Sequence, residues 1–366
     1  MKKRARASSA EVQWYPLMLA LFLGGAGGTL FNLVDLPLAW MLGAMVTTAL
    51  ASIAGVKLSI PRGLRDPWIT ILGVMLGSNF SADTFHSLLD WIPSIIALPV
   101  YVVALSFVGR TYLRRIAGFE PQTAYFASAP GGLAEMILIG DHYGGDMRRI
   151  ALMHSTRVFL VVILLPLSLS LFVSDLVLMP SIGRVAPTAR ELVVLITCAI
   201  CGFWIARRVG LPAPQMLGPM ILSALAHLVG WVEAAPPIAF IAGAQIVMGS
   251  SLGARFSGIQ VHEILHAVVV CFGLTTILLS LSATLAWVMS QMVAMPFIVL
   301  LIAFSPGGVA EMGLVALAIG ADPTFVACIH ILRIALVIVL APAIFNLSYL
   351  RKGNRPQKKR RITRFP

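Results

Sequence analysis

Two short segments of this chain combine residue types that could do chemistry within an apolar sequence. Ala129-Pro-Gly-Gly-Leu-Ala-Glu-Met136 and Ser305-Pro-Gly-Gly-Val-Ala-Glu-Met312 each place a carboxylate three residues after a glycine pair. Proline removes a backbone donor and glycine permits sharp turns, so we expect no unbroken helix there. The backbone groups freed by such a break, and the carboxylates of Glu135 and Glu311, can bind a solute or an ion.

The two segments form the predicted binding site, and residues downstream of them are predicted charge partners. A carboxylate in apolar surroundings is costly unless it is protonated or paired, which suits proton coupling but also suits a structural ion pair. A His-x-x-Arg pattern follows each segment; its arginine would neutralise the glutamate or hold an anionic substrate. The predicted solute- or ion-binding residues are Pro130, Gly131, Gly132, Glu135, Pro306, Gly307, Gly308 and Glu311, and the predicted charge partners are His154, Arg157, His330 and Arg333.

The binding segments belong to an internal duplication that covers nearly the whole chain. Pro37-Leu-Ala-Trp-Met-Leu-Gly43 matches Pro212-Ala-Pro-Gln-Met-Leu-Gly218 at an offset of 175 residues. After a one-residue insertion the offset is 176, which relates Gly73 to Gly249 and also relates the two Pro-Gly-Gly segments. So many matches at one offset indicate two copies of one unit.

The composition indicates that these units lie in a membrane. Of the 366 residues, 58% are hydrophobic and only 11% are charged, whereas soluble domains average about 45–50% and about 25%. The mean hydropathy is +0.91. A soluble protein of this size could not bury so much apolar surface, which excludes an ordinary cytosolic enzyme, a disordered chain and a disulfide scaffold. We predict an all-α polytopic membrane protein.

Six apolar segments in each unit allow two topologies. If all six cross the membrane, the chain has 12 spans in two parallel units, and five arginines of the loops face the outside. If the Pro-Gly-Gly segment enters and returns on the same side, each unit crosses five times and the second unit is inverted. Only Arg184 and Arg190 are then outside, so the positive-inside rule favours this arrangement. We predict about ten transmembrane helices and two re-entrant segments, with 12 parallel spans as the alternative.

The net charge of +12 lies mostly in the two predicted tails. Basic tails are typical of cytoplasmic ends held near anionic lipid, and a nucleic-acid-binding role is the alternative. We therefore predict a bacterial inner-membrane protein with both termini in the cytoplasm. The predicted parts are a basic tail (1–13), a first membrane repeat (14–174), a linker (175–190), a second membrane repeat (191–349) and a basic tail (350–366).

Other polar and small residues have simpler interpretations. Asp146 and Asp322 precede the last segment of each unit and are predicted helix N-caps. The small-xxx-small glycine pairs at 73/77 and 249/253 predict close helix packing, although their polar neighbours could instead line a pore. His262-Glu-Ile-Leu-His266 has the spacing of a zinc protease, but a third ligand is not evident and the first unit lacks the pattern.

The paired Pro-Gly-Gly-x-Ala-Glu-Met segments, with His-x-x-Arg downstream, resemble the AbrB family of bacterial inner-membrane proteins. The resemblance covers residues 14–349. It implies a duplicated domain, and members of that family carry the label ammonia monooxygenase or regulator of gene expression. Neither label is explained by these residues, because a copper enzyme needs clustered imidazoles and a transcription factor needs a folded DNA-binding module.

We predict secondary transport or export of a small solute, coupled to protons or another ion. The rival hypothesis is a membrane-embedded regulator that acts indirectly on gene expression, and an ammonia-oxidising enzyme is a distant third. The predicted partners are the lipid bilayer, a small solute and protons or cations. We expect no enzymatic activity, no cofactor and no direct contact with nucleic acid.

Overall fold

The computed structural model describes residues 14–80, 87–172, 187–237 and 239–350. These ranges contain helices and connecting turns, with no β-strand in them, which confirms the predicted all-α class. The predicted N-terminal tail, the C-terminal tail beyond residue 350 and most of the predicted linker lie outside the described residues.

Among the described residues, the first half of the chain has seven α-helices, with a one-turn 3₁₀ helix (Ser87–Trp91) before the fourth. Two of them, α5 and α6, are short because the Pro-Gly-Gly sequence separates them. The helices are α1 (Trp14–Leu33), α2 (Ala39–Ile53), α3 (Arg62–Gly77), α4 (Ile92–Arg115), α5 (Pro121–Ser128), α6 (Leu133–His142) and α7 (Met147–Phe172).

The described residues of the second half also form seven α-helices, and the short helices stand at the same places in their order. Both second helices have 15 residues, both fifth helices have 8 and both sixth helices have 10. The helices are α8 (Ala189–Val209), α9 (Pro214–Leu228), α10 (Ala239–Gly253), α11 (Val261–Ser290), α12 (Phe297–Phe304), α13 (Val309–Ala318) and α14 (Pro323–Leu350); a 3₁₀ helix (Ala254–Phe256) follows α10.

Six of these helices are long and apolar enough to cross a membrane by length and composition: α1, α4, α7, α8, α11 and α14. The helices α2, α3, α9 and α10 have only 15 or 16 residues. At 1.5 Å per residue they are about 22–24 Å long, against about 30 Å of hydrocarbon. The predicted ten crossings therefore depend on these four shorter helices.

Glycines allow the shorter helices to pack closely across the two halves. A Cβ atom at Gly73 of α3 would lie 2.4 Å from the carbonyl oxygen of Met216 in α9. The equivalent contact is reciprocal: a Cβ atom at Gly249 of α10 would lie 2.4 Å from the carbonyl oxygen of Met41 in α2. The backbones therefore touch where only glycine fits, as the small-xxx-small spacing predicts.

The buried core and the exposed surface are both apolar. Three of the four helices of the broken segments, α5, α12 and α13, lie mainly in the core, and all residues from Val309 to Ala316 of α13 are buried. Helix α6 is more exposed, since Met136 and Gly140 are its buried residues. Large apolar side chains point outward from the long helices, including Phe22 (72% exposed), Trp204 (61%) and Val269 (72%). A surface of this kind suits contact with lipid rather than with water.

Candidate functional site

The first broken segment is a helical hairpin. Helix α5 ends at Ser128 and α6 begins at Leu133, so the chain reverses over Ala129–Gly132. The start of α5 and the end of the hairpin after α6 lie together. The backbone N–H of Asp146 there donates to the hydroxyl of Thr123 over 2.9 Å. The rings of Phe126 and Tyr143 stack at 5.6 Å between centroids. The segment therefore enters and returns at one end of the molecule.

The second broken segment has the same construction in the other half. Helix α12 ends at Phe304, α13 begins at Val309, and the Ser-Pro-Gly-Gly sequence joins them. Tyr101 of α4, in the first half, donates its hydroxyl hydrogen to the carbonyl of Phe304 over 2.6 Å. The first half thus holds the end of α12 in place.

Arg157 of α7 ends helix α5 by donating to its last carbonyl groups. Its Nη1 lies 3.1 Å from the carbonyl oxygen of Ser128 and 3.3 Å from that of Ala129. Its Nη2 lies 3.0 Å from Nδ1 of His154, and Nε2 of His154 lies 2.8 Å from the carbonyl oxygen of Phe126. A neutral imidazole with its hydrogen on Nε2 satisfies both contacts.

Arg333 of α14 does the same for helix α12. Its Nη1 donates to the carbonyl of Ser305, and its Nη2 donates to the carbonyl of Gly307 over 2.6 Å. His330 differs from its counterpart, since its Nδ1 lies 2.9 Å from the carbonyl oxygen of Val326 in its own helix. Both arginines are only 2% exposed.

The structural Glu–Arg ion pairs considered from the sequence are not formed within the described ranges. The ion pairs there are Arg65–Asp66, Arg148–Glu263 and Arg149–Asp146. Glu135 and Glu311 instead fold back over the glycine before their helix: a Cβ atom at Gly132 or Gly308 would lie 2.1 Å from Oε2 of the respective glutamate. The free N–H groups of a helix start attract a carboxylate at the third helical position, while the tip carbonyls attract the guanidinium groups.

The two hairpin tips meet at one cavity of about 190 Å³. Both tips contribute backbone, and four of the eight predicted non-glycine residues line it. The predicted site residues that line it are Gly131, Gly132, His154, Arg157, Gly307, Gly308, Glu311 and Arg333, whereas Pro130, Glu135, Pro306 and His330 do not appear in its lining. The predicted residues thus include the glycine turns and two arginines of this cavity, but the prediction treated the two glutamates as equivalent when only Glu311 lines it.

Two further arginines line the cavity that the sequence did not single out. Arg65 comes from the first turn of α3, and Arg255 comes from the 3₁₀ helix after α10. In the predicted ten-crossing topology both lie on the cytoplasmic side. The sequence does distinguish these two arginines, because the duplication does not repeat them. At the offset of 176 residues their counterparts are the uncharged Ile241 and Asn79.

Comparison with known proteins identifies the family. The family model described as "Transition state regulatory protein AbrB" matches residues 40–348. The chain belongs to the AbrB family. This confirms the resemblance stated from the paired Pro-Gly-Gly segments.

Two AbrB relatives match along nearly their full lengths. "Uncharacterized protein YhjN" of Bacillus subtilis (strain 168) is 25% identical over 371 aligned residues, covering 93% of this chain and 95% of the relative. "Putative regulator AbrB" of Escherichia coli (strain K12) is 26% identical over 336 aligned residues, covering 91% and 95%.

The three residues with zinc-protease spacing line a second cavity in this AbrB chain. It has a volume of about 490 Å³ and is lined by His262, Glu263 and His266 together with residues of α7. Arg148 binds Glu263, with 3.1 Å between Nη2 and Oε2. Within the described ranges no group of three or more His, Cys, Asp or Glu side chains is placed to hold a metal ion. Glu263, which a zinc protease would use as its general base, is therefore ion-paired with the guanidinium group of Arg148.

Proposed function

We propose that this AbrB-family protein is a secondary transporter of a small solute, built from two inverted repeats. The observation that carries the proposal is that the tips of the two hairpins, each held by its own arginine, line a single cavity. In inverted-repeat transporters, irregular backbone at membrane depth lines the substrate site at the repeat interface. Broken helices in both halves that meet at one cavity match this arrangement.

The hairpins support an odd number of crossings in each half. Since both ends of the α5–α6 hairpin lie together, the crossing helices of the first half are α1, α2, α3, α4 and α7. Five crossings place the start and the end of a unit on opposite sides, so the second unit is inverted. The shorter helices cross with local adjustment of bilayer thickness, at a modest cost for each ångström of mismatch.

Contacts between the two halves agree with ten crossings and disagree with 12. The backbone N–H of Leu58, between α2 and α3, lies 3.2 Å from the hydroxyl of Ser257, between α10 and α11. The amide of Asn346 near the end of α14 donates to the hydroxyl of Tyr143 over 2.9 Å. Ten crossings put both pairs on the inner side, whereas 12 parallel spans would separate each pair by the whole membrane.

In this arrangement the first hairpin enters from the cytoplasm and the second from outside. Both termini are cytoplasmic, in agreement with the excess of basic residues there, and the membrane is the bacterial inner membrane. Glu311, which is 7% exposed, lines the cavity and is the residue for proton or ion coupling. Glu135 covers the equivalent helix start at the other hairpin.

The proposal can be tested without knowing the solute. Ala310→Cys, in a cysteine-free background, places a thiol in the cavity lining. A transporter exposes this site alternately, so a membrane-impermeant maleimide is expected to label it from either side of sealed vesicles. Labelling from one side alone, with Gly144→Cys and Ala321→Cys as controls for the two faces, would contradict transport.

The name of the Escherichia coli relative favours a second function, a membrane-embedded regulator that acts indirectly on gene expression. Such a sensor would share the cavity but would not expose it to both sides. Enzymatic activity lies outside our proposal: the ammonia monooxygenase label would require copper bound by clustered imidazoles.

A further inference from the structure

The cavity between the hairpins has a strongly positive lining. Four guanidinium groups face it, from Arg65, Arg157, Arg255 and Arg333. The one carboxylate in the lining is that of Glu311, which interacts electrostatically with Arg255. Four cations against one anion leave an excess of positive charge, which is costly in apolar surroundings unless an anion balances it.

Existing partners leave part of these guanidinium groups unused. Arg333 donates to the tip carbonyls through both terminal nitrogens, and Arg157 does so through Nη1, while its Nη2 contacts Nδ1 of His154. Arg65 lies 3.4 Å from a half-exposed Asp66. Within the described ranges, the Nε atoms of Arg65, Arg157 and Arg333 are buried and have no hydrogen-bond partner. A buried donor without a partner is costly, so the surrounding protein groups do not fully satisfy these three guanidinium groups.

The starts of α6 and α13 are not the free anion-binding groups here. Glu135 and Glu311 fold over the glycines that precede these helices, so their carboxylates stand beside the helix starts and would repel a second anion there. The arginines are therefore the groups left to recognise a ligand. A guanidinium group matches a carboxylate or phosphate through paired N–H donors.

We infer that the cavity binds a small oxyanion, either an organic carboxylate or an inorganic phosphate, and that Arg65 and Arg255 determine this specificity. The inference rests on the proposed transport function and names its substrate class. The volume of about 190 Å³ is below the roughly 300–1,000 Å³ of pockets for drug-sized ligands, so the anion is small.

The two determining arginines make the cavity asymmetric. Arg65 begins α3 and Arg255 follows the end of α10, and the proposed topology puts both on the cytoplasmic side. Their counterparts near the outer side, Ile241 and Asn79, are uncharged. The anion is therefore captured preferentially from the cytoplasm, because the attractive charges stand at that entrance.

The test is equilibrium binding to the purified full chain in detergent at constant ionic strength. Sodium phosphate, sulfate, acetate and succinate are titrated separately, and the melting temperature is followed against a chloride background. We expect saturable stabilisation by at least one of the four anions. Phosphate and sulfate on one side, and acetate and succinate on the other, distinguish inorganic from organic ligands. Saturation by none of them would overturn the inference.

Variants assign the binding to the two arginines. Arg255→Gln and Arg65→Gln are each expected to weaken the affinity about tenfold or more, with partial recovery in Arg255→Lys, while Arg114→Gln on an exposed position leaves it unchanged. Equal affinity in wild type and both Gln variants would refute their role. Melting without ligand shows which variants fold.

The two proposals can fail separately. Anion binding together with one-sided labelling of Ala310→Cys would reject transport but keep the anion site. Two-sided labelling without anion binding would keep transport but reject the anion site.

Discussion

Arg157 and Arg333 lie 176 residues apart in the chain, and each donates to the carbonyl groups at the end of the first short helix of its own hairpin. The C-terminal end of a helix carries partial negative charge, so a buried guanidinium there is partly compensated without a carboxylate. This explains how two buried arginines exist in an apolar core without the glutamate pairs considered from the sequence.

Removal of Arg333 should destabilise the protein. We expect Arg333→Gln to lower the free energy of unfolding by about 3 kcal/mol, because charged hydrogen bonds to buried carbonyl groups are lost. Arg333→Lys should recover only part, since an ammonium group lacks the forked donors. Denaturant unfolding in detergent measures both variants beside Arg114→Gln. A loss for Arg333→Gln no larger than for that control would contradict the role in the hairpin.

Glycine contacts between the halves should be intolerant of a methyl group. Gly249→Ala places a Cβ atom 2.4 Å from the carbonyl of Met41 and should lower the melting temperature by several degrees. Gly25→Ala is the matched control, because no neighbouring atom lies within 4 Å of its Cβ position. In a helix interior that change should be neutral or stabilising, by up to about 1 kcal/mol. Similar melting temperatures for the two variants would argue against close packing at Gly249.

The inverted arrangement predicts opposite faces for the two hairpin bases. In sealed cells without native cysteines, Gly144→Cys should react with an impermeant maleimide only after the membrane is opened, and Ala321→Cys should react in intact cells. Reaction of both in intact cells would support 12 parallel spans and remove the basis for opposed hairpins.

Asp322 should stabilise the start of α14. Its Oδ1 accepts from the backbone N–H groups of Thr324 (2.9 Å) and Phe325 (3.2 Å), as the N-cap prediction requires. Asp322→Ala should lower the free energy of unfolding by about 1 kcal/mol, and Asp322→Asn should keep most of it. Chemical denaturation compares the two; equal losses would mean that the carboxylate acts through charge instead of capping.

The His262/His266 pair should not bind zinc tightly. We expect less than a stoichiometric amount of zinc in the purified protein, and an unchanged melting temperature after treatment with EDTA. His262→Ala should leave the metal content unaltered. Stoichiometric zinc that disappears in this variant would restore the protease hypothesis.

Patterns within the sequence were enough to predict the helical class, the breaks at Pro-Gly-Gly and the capping role of the aspartates, because each depends on neighbouring residues. Asp146, for example, caps α7 through the N–H groups of Arg148 and Arg149. The contributions of Arg65 and Arg255 could not be predicted in this way. They reach the cavity because α3 and the end of α10 pack beside the hairpins, and that packing brings together residues almost 200 positions apart.

The partners of the hairpin arginines also escaped prediction for a physical reason. Charge alone suggests that Glu135 pairs with Arg157. The free N–H groups at a helix start compete for the carboxylate, however, and the free carbonyl groups at a helix end compete for the guanidinium. Which pairing forms depends on the fold of the tip, and residue types do not reveal it.

The reciprocal glycine contacts have a consequence for the synthesis of this protein. Gly73 meets Met216, and Met41 meets Gly249, so α2 and α3 gain these neighbours only after α9 and α10 of the second half have been synthesised. A chain stopped after α7 would still have α2 packed on α1, but the faces of α2 and α3 that contact α10 and α9 would be uncovered. Complete packing of the first half therefore requires helices of the second half.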